Sequence, residues 1–473
     1  MLEFIPLLDK NNGVPIYVQL FQYIKQKIED GTIPEGSFLP SVRYLSAQLR
    51  ISKNTVDSAY QQLVAEGYVA SRARIGLIVL PLEQPVLSSI LQEIKHKPKV
   101  LLDNKAETFE YDFKYGDIDV NSFPHDIWKR CLTKALTNEP DLLLNPGERQ
   151  GDIGLRRELM NYLFQSRGVN CSEEQIVICS GTQHALSLII QLFSIGDRSV
   201  AMENPSYDVA QTVFNNHGWS IKPIRLEQDG IDIEQLQKIE TKVTYITPSH
   251  QFPYGMVLPI QKRLSLLEWA NQNSSYILED DYDSEFRYQG QPIPSLKALD
   301  EEDNVIYLGT FSKSFSPAAR VSYIVLPQNL IDVYNHTYVN YNQSVSPIIQ
   351  KGLYIFMNEE HFTSHIRRMR KVYQKKHQTL INALNKYMGR HIEIIGQNAG
   401  LHLLVRIKNN MSTKDLVKKA KKLGVRVYDP SFYCLNEKEI EPSLVMIGFG
   451  GISEEKIDKG ILLLQKAWFS NES

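Results

Sequence analysis

The stretch GTFSKSFSPAARVSYIVLP, residues 309–327, places a lysine between two serines directly after the apolar run VIYLG, with an arginine seven residues further on. Such an apolar run reads as a buried strand, and Ser312, Lys313 and Ser314 follow it where the chain leaves a sheet. Similar runs recur at QIVICS, SVAMENP, SIKPIRL, KVTYITPS, SYILEDD and NVIYLGT, separated by helical patterns. This alternation indicates an α/β domain with a mainly parallel sheet, whose ligands bind outside the carboxyl ends of the strands. Residues directly after these runs are therefore the candidates for chemistry.

After QIVIC comes SGTQHALSLIIQLF, in which Gly181 makes the turn and Thr182 opens an amphipathic helix. Free amides at such a start, with the Ser180 and Thr182 hydroxyls, suit a phosphate, although an ordinary strand-to-helix turn has the same look. After SYILE come Asp280, Asp281 and Tyr282; paired acids there also suit a metal site or a capped turn. Lys313 follows VIYLGT. A lysine attacks aldehydes when its amine is neutral and accessible, which desolvation or a neighbouring cation promotes. Pyridoxal phosphate chemistry needs that lysine, an acid near the pyridinium nitrogen and a positively charged phosphate cradle. Lys313, Asp280, the SGTQ helix start and Arg320 supply all of them from one edge of one sheet.

At 473 residues the chain exceeds one ordinary core, so at least two domains are expected. Hydrophobic content of 42% and charged content of 22% are ordinary for a globular protein. A net charge of -2 excludes a chain that is basic overall but leaves room for local basic faces. Cys131, Cys171, Cys179 and Cys434 show no CxxC pairing and no metal-ligand spacing, so free thiols are expected and no metal site. The N-terminus lacks a basic region followed by a cleavable apolar stretch, and no run approaches membrane-spanning length. The expectation is a cytoplasmic protein without a membrane partner.

The first eighty residues have a different character. PIYVQLFQYIKQKIEDG puts Ile16, Leu20, Ile24 and Ile28 on one helical face and stops at Gly31. In FLPSVRYLSAQL, Ser41 is positioned to cap a short helix whose Leu45 and Leu49 face a core. Ser52 then caps a third helix, KNTVDSAYQQLVAEG, with Val56, Ala59, Leu63 and Val64 as its expected buried face. Short helix, tight turn and longer helix form a helix-turn-helix, in which the N-terminal end of the second helix enters a major groove. Lys53, Asn54 and Thr55 occupy that end. YVASRARIGLIVLP reads as two short strands around a basic turn, a wing with Arg72, Arg74 and Gly76. Residues 1–80 carry only eight basic against seven acidic side chains, so position rather than composition suggests DNA, and a protein-interaction module stays open.

The run PSVRYLSAQLRISKNTVDSAYQQLVAEGYV resembles the winged helix-turn-helix of the GntR regulators along its whole length. That resemblance implies double-stranded operator DNA as partner, contacted by Ser41, Arg43, Ser52, Lys53, Asn54, Thr55 and Arg74, with Gly76 at the wing tip. Residues 81–108 hold three prolines and several lysines without a sustained apolar face, and read as a linker or as a segment packed on the second domain.

From about residue 110 to 465, NPGERQGDIGLR, ENPSY, TPSHQFPYG, LEDDYDSEF and GTFSKSFSPAAR resemble the fold type I aminotransferases. The resemblance implies that Lys313 forms the Schiff base with pyridoxal 5'-phosphate and that Asp280 pairs with the pyridinium nitrogen. It further implies that Tyr282 bonds the ring hydroxyl oxygen, Tyr207 stacks on the ring, and Ser180, Thr182, Ser312 and Arg320 line the phosphate. His250 or Gln251 would flank the ring.

A GntR winged helix (1–80), a linker (81–108) and an aminotransferase-like domain (109–473) together resemble the MocR subfamily of bacterial regulators. In that family the large domain serves as a dimerising sensor and the winged helix as the DNA reader. TPSHQFP and EDDYDSEF are similar to its GABA-responsive member, with two departures. Phe432 stands where an arginine anchors the effector carboxylate, and NPSY is followed by Asp208 and Val209 rather than by a second arginine. Both losses remove forked donors suited to a carboxylate, and Arg426 is the residue left to weigh as a substitute. The expectation is a homodimeric regulator sensing an amine, an amino acid or pyridoxal phosphate; the alternative is a working aminotransferase carrying a DNA-binding domain.

Overall fold

The computed structural model describes residues 8–9, 13–72, 76–82, 108–193, 198–288, 293–435 and 441–469. The chain divides into two compact units, Met1–Glu107 and Thr108–Ser473. Residues 83–107 of the expected linker, and Arg74, lie outside the described residues. Among the described residues no helix is long and apolar enough to cross a membrane.

Among the described residues the first unit contains three helices, α1 (Ile16–Glu29), α2 (Val42–Leu49) and α3 (Lys53–Ala65), followed by strands β1 (Val69–Arg72) and β2 (Gly76–Val79). β1 and β2 pair antiparallel, with Val69 opposite Val79 and Arg72 opposite Gly76. Leu20, Ile24, Ile28, Leu45, Val56, Ala59 and Leu63 form its core. Ser41 accepts from the Tyr44 amide at 3.2 Å and Ser52 from the Thr55 amide at 3.1 Å, so both serines cap the helices they precede. The expected burial of Val64 is corrected: it is 40% exposed, and Tyr60 is buried in its stead. Positions 56, 59, 60 and 63 share a narrow stripe at helical spacing, and position 64 falls at its edge.

The second unit opens with β3 (Tyr111–Asp112) and is built on an eight-stranded sheet. Its strands are β4 (Ile176–Cys179), β5 (Ser199–Asn204), β6 (Ser220–Glu227), β7 (Gly230–Ile231), β8 (Val243–Ile246), β9 (Tyr276–Asp281), β10 (Val305–Thr310) and β11 (Ser322–Val325). Their order is β4-β11-β10-β9-β8-β5-β6-β7. β10, β9, β8, β5 and β6 pair in parallel, while β11 runs against both β10 and β4, and β7 against β6. The SYIV run of the lysine stretch is thus a returning strand: Arg320, at φ 52, turns the chain so that Thr310 pairs with Ser322. β4, β8, β9 and β10 are buried along nearly their whole length, which is why they read as continuous apolar runs.

Beyond the sheet, β12 (Ile392–Ile395), β13 (His402–Ile407) and β15 (Leu444–Gly448) form an antiparallel sheet in that order, and β14 (Val425–Arg426) pairs in parallel with β3. The helices His361–Tyr387, Thr413–Lys422 and Glu454–Phe469 share one apolar core with them, through residues such as Leu380, Leu416 and Ile461.

Candidate functional site

The parallel strands release their chains at a common edge. There lies a cavity of about 310 Å³, lined among others by Tyr115, Thr182, Tyr207, Thr247, Phe252, Asp280, Tyr282, Ser312, Lys313 and Arg320.

Asp280 and Asp281 end β9, and the two-residue period of a strand sends them to opposite faces. Asp280 faces the cavity and Asp281 faces away from it into the protein. Asp281 accepts from Arg167 Nε at 2.7 Å and from Tyr307 Oη at 2.6 Å, in a pair buried on both sides. Its adjacency to Asp280 therefore reflects internal ion pairing on one face and a free acid on the other. Asp280 Oδ2 accepts from Tyr245 Oη at 2.5 Å, while Oδ1 is buried without a partner. Burial raises this carboxyl to about 7, assisted by the charges of Asp281 and Asp283 and opposed by the Tyr245 hydrogen bond.

Lys313 sits on a single helical turn, Phe311–Ser314, directly after β10. Thr310 starts that turn by accepting from the Ser312 amide at 3.1 Å and donating to Ser312 Oγ at 3.0 Å. The lysine lines the cavity and is half-buried, with Nζ 4.3 Å from the centre of the Tyr115 ring. Burial lowers its amine to about 8, against the opposing pull of Asp283 and Asp117. A Cβ on Gly116 would lie 2.8 Å from Nζ, so glycine at 116 keeps space open beside the amine.

Tyr282 lines the cavity, and His250 and Asp283, both buried, form a network behind it. Tyr282 Oη lies 2.9 Å from both His250 Nδ1 and the His250 carbonyl oxygen, and Nδ1 lies 3.0 Å from Asp283 Oδ2. His250 thus supports Tyr282 from behind and does not line the cavity. Gln251 turns away as well, donating to the Pro205 and Phe252 carbonyls. Thr247 and Phe252 are the residues of that loop that reach the cavity.

At the other end of the cavity Gly181, at φ 90, precedes the helix Thr182–Leu192. A Cβ at Gly181 would collide with the Arg320 guanidinium, so this turn demands glycine. Arg320 Nη2 donates to the Ser180 carbonyl at 3.3 Å. Thr182, Ser312 and Arg320 line the cavity, whereas Ser180 contributes that carbonyl from beside it. Tyr207 and Tyr115 provide aromatic walls, and burial raises both phenols above their ordinary value.

Phe432 is 75% exposed, and the adjacent Tyr433 packs on Phe252 with ring centroids 4.7 Å apart. Arg426 lies over the rings of Phe109 and Tyr428 and 3.7 Å from Asp112. It holds β14 to its surroundings and is absent from the cavity lining. Val209 lines the cavity at one of the two places where an arginine was sought.

Sequence reasoning missed Tyr245, Asp283 and Tyr115. None carried a local signal: Tyr245 meets Asp280 across from β8 to β9, and Asp283 and Tyr115 reach His250 and Lys313 from positions distant in sequence.

In the first unit, Ser41, Arg43, Ser52, Lys53 and Asn54 are exposed along the start of α2 and of α3, and Thr55 is half-buried through its bond to Ser52. Gly76 opens β2, opposite Arg72 of β1.

Comparison with known proteins gives two matching families. Residues 16–79 match the bacterial regulatory proteins of the gntR family, and residues 117–461 match aminotransferase class I and II. The uncharacterized HTH-type transcriptional regulator YdeL of Bacillus subtilis is 38% identical over 99% of this chain and 100% of its own. The probable rhizopine catabolism regulatory protein MocR of Rhizobium meliloti is 29% identical over 99% of this chain and 96% of its own. Among solved structures, kynurenine aminotransferase from Pyrococcus horikoshii, in complex with PMP, superposes with a TM-score of 0.70 at 25% identity, covering 82% of this chain and 95% of that one.

Proposed function

The chain belongs to the MocR-like HTH-type transcriptional regulators, which join a gntR family domain to an aminotransferase class I and II domain, and we propose that it binds operator DNA as a homodimer and detects a small amine, an amino acid or pyridoxal phosphate itself. The observation that carries this reading is the pairing, in one cavity, of a buried amine lowered to about 8 with a buried carboxylate oxygen that lacks a partner.

The residues present fit pyridoxal phosphate. Asp280 Oδ1 is free to accept from a cationic ring N–H, the donor that a buried carboxylate favours. Gly116 and Gly181 leave room where a side chain would meet Lys313 or Arg320. Arg320, the first amides of the helix Thr182–Leu192 and the hydroxyls of Thr182 and Ser312 would hold the phosphate, with Ser180 fixing Arg320 through its carbonyl. Bound there, the cofactor would supply an electrophilic aldehyde and an electron sink for an amine condensed with it.

The chain's own residues would do the rest. Lys313, with its amine lowered to about 8, is neutral in about a tenth of the molecules at pH 7, far more than an ordinary lysine. Asp280 would hold a proton at the ring nitrogen, Tyr207 would provide a flat wall, and Tyr282 would orient a ring oxygen, steadied by His250 and Asp283. Among the described lining residues the cations are Lys313 and Arg320, and Arg320 is committed to the phosphate end. That favours detection of an amine or of the cofactor over firm retention of a substrate carboxylate. Detection would act by population shift: a ligand that binds one arrangement of the protein better changes the operator affinity by the same differential free energy.

The test is an absorbance scan of the purified protein from about 300 to 500 nm while amines and amino acids are added, followed by a keto acceptor. A spectral change without multiple turnover supports the sensor. Sustained turnover with donor and acceptor would establish the catalytic alternative.

A further inference from the structure

Charge is distributed very unevenly along this chain. Residues 361–426 contain sixteen lysines and arginines and only two acids, Glu393 and Asp415, a net charge of +14 inside a chain whose total is -2. The remaining residues therefore carry -16. By contrast the first eighty residues, which hold the DNA-reading elements, carry eight basic and seven acidic side chains. Phosphate neutralisation supplies most non-specific affinity for DNA, so a further cationic face on the chain would add to what the few cations of the reading head supply.

Part of the excess is used internally. Lys375 pairs with Glu454, Lys376 with Asp119, and Arg406 with Glu393 and Glu441. The helix Thr413–Lys422 is different. Its Thr413, Leu416 and Ala420 are buried, and Lys414, Lys418 and Lys422 project from it, exposed, at four-residue steps of about 6 Å each. Its one acid, Asp415, accepts from Ser412 in the N-terminal cap. Lys408 leads into this helix, and its amide donates to the His391 carbonyl at 2.8 Å, which places exposed Arg390 beside it. Among the described residues no ion pair engages Arg390, Lys408, Lys414, Lys418 or Lys422. Like charges at four-residue spacing repel, a cost that only Lys422, in the last turn, offsets through the helix dipole.

We propose that this lysine face of the large unit is a second DNA-contact surface, which takes the phosphate backbone of duplex flanking the operator without reading its sequence. The inference rests on the DNA-binding reading above. Charge complementarity selects the occupant: a duplex offers closely spaced phosphates along its whole length, and the chain already possesses elements that select one. The winged helix would choose the site while the lysine face would add affinity that grows with fragment length.

The test compares the full-length protein on two operator fragments, one limited to the mapped core and one extended by about 20 base pairs on each side, at several salt concentrations. The longer fragment is expected to bind more tightly, with a steeper salt dependence. Lys418→Gln/Lys422→Gln should lower the salt slope on the long fragment by about two and its affinity several-fold, leaving the core fragment unchanged. A control pair at exposed positions outside the basic segment, Lys129→Gln/Lys238→Gln, should have no effect. Equal affinity for both fragments, or equal loss from both pairs, overturns the proposal while the regulator reading stands. Failure to bind the core fragment overturns both. Loss by the lysine pair of co-sedimentation with phosphatidylserine vesicles, without change on long DNA, would assign the face to a membrane surface and also overturn it.

Discussion

Tyr245 Oη donates to Asp280 Oδ2 at 2.5 Å while Asp280 Oδ1 is buried without a partner. One carboxylate is thus half satisfied by the protein and half reserved. The first prediction concerns that reservation. Asp280→Asn should weaken pyridoxal phosphate by about 2 kcal/mol, roughly thirtyfold, the value of a charge-assisted hydrogen bond. Tyr245→Phe should cost less, because it leaves the reserved oxygen in place. Titration of cofactor-free protein by absorbance measures both.

The same carboxyl makes the cofactor-free protein pH-sensitive. Asp280 is raised from an ordinary carboxylate value to about 7 by burial, so the folded state keeps a proton that the unfolded state has already lost. Its contribution to stability therefore falls as pH rises from about 4 to about 7, and the full penalty is present above that window. Cofactor-free Asp280→Asn should be more stable than the wild type at pH 8, with the difference shrinking toward pH 5. Thermal melts at the two pH values decide this.

Lys313 gives a kinetic counterpart. With its amine lowered to about 8, cofactor capture should accelerate between pH 7 and 9, and Lys313→Ala should abolish the covalent absorbance band. The Asp283 charge raises the lysine, so Asp283→Asn should move the midpoint to lower pH. That variant also weakens the buried hydrogen bond to His250, and a stability loss of about 1 to 2 kcal/mol is expected with it. An unchanged midpoint in a folded Asp283→Asn protein would remove Asp283 from the account.

On the DNA side, Arg43 is exposed in the first turn of α2, two residues after the Ser41 cap. Arg43→Ala should weaken operator binding and reduce the salt slope by about one, as the loss of one phosphate contact does. Fluorescence anisotropy at several salt concentrations checks it.

Much of this was legible in the sequence because it is local. Buried strands betray themselves as apolar runs, and in a parallel sheet the residue after each run is at the ligand edge, so Lys313, Asp280 and Thr182 could be named from position. Ser41 and Ser52 were legible as caps for the same reason. Contacts across the sheet were not. Nothing near residue 280 points to Tyr245, and nothing near 250 points to Asp283. The turn at Arg320 conceals that SYIV returns antiparallel, and the paired acids left a metal site or a capped turn open until Arg167 was seen to occupy Asp281. Val64 was misplaced because a four-residue apolar set tolerates one member at the edge of its stripe. Lys414, Lys418 and Lys422 were visible as letters, but only their exposure and the pairing of other cations nearby in the chain distinguishes them from cations used in the fold.

The central claim is that Lys313 serves detection, with operator DNA as the readout. The most direct measurement is operator affinity as a function of added amine or pyridoxal phosphate, for the wild type and for Lys313→Ala. A ligand that alters the cofactor spectrum should change the affinity of the wild type and leave that of Lys313→Ala unchanged. Spectral change without any change in operator affinity, or an equal response in Lys313→Ala, would contradict it.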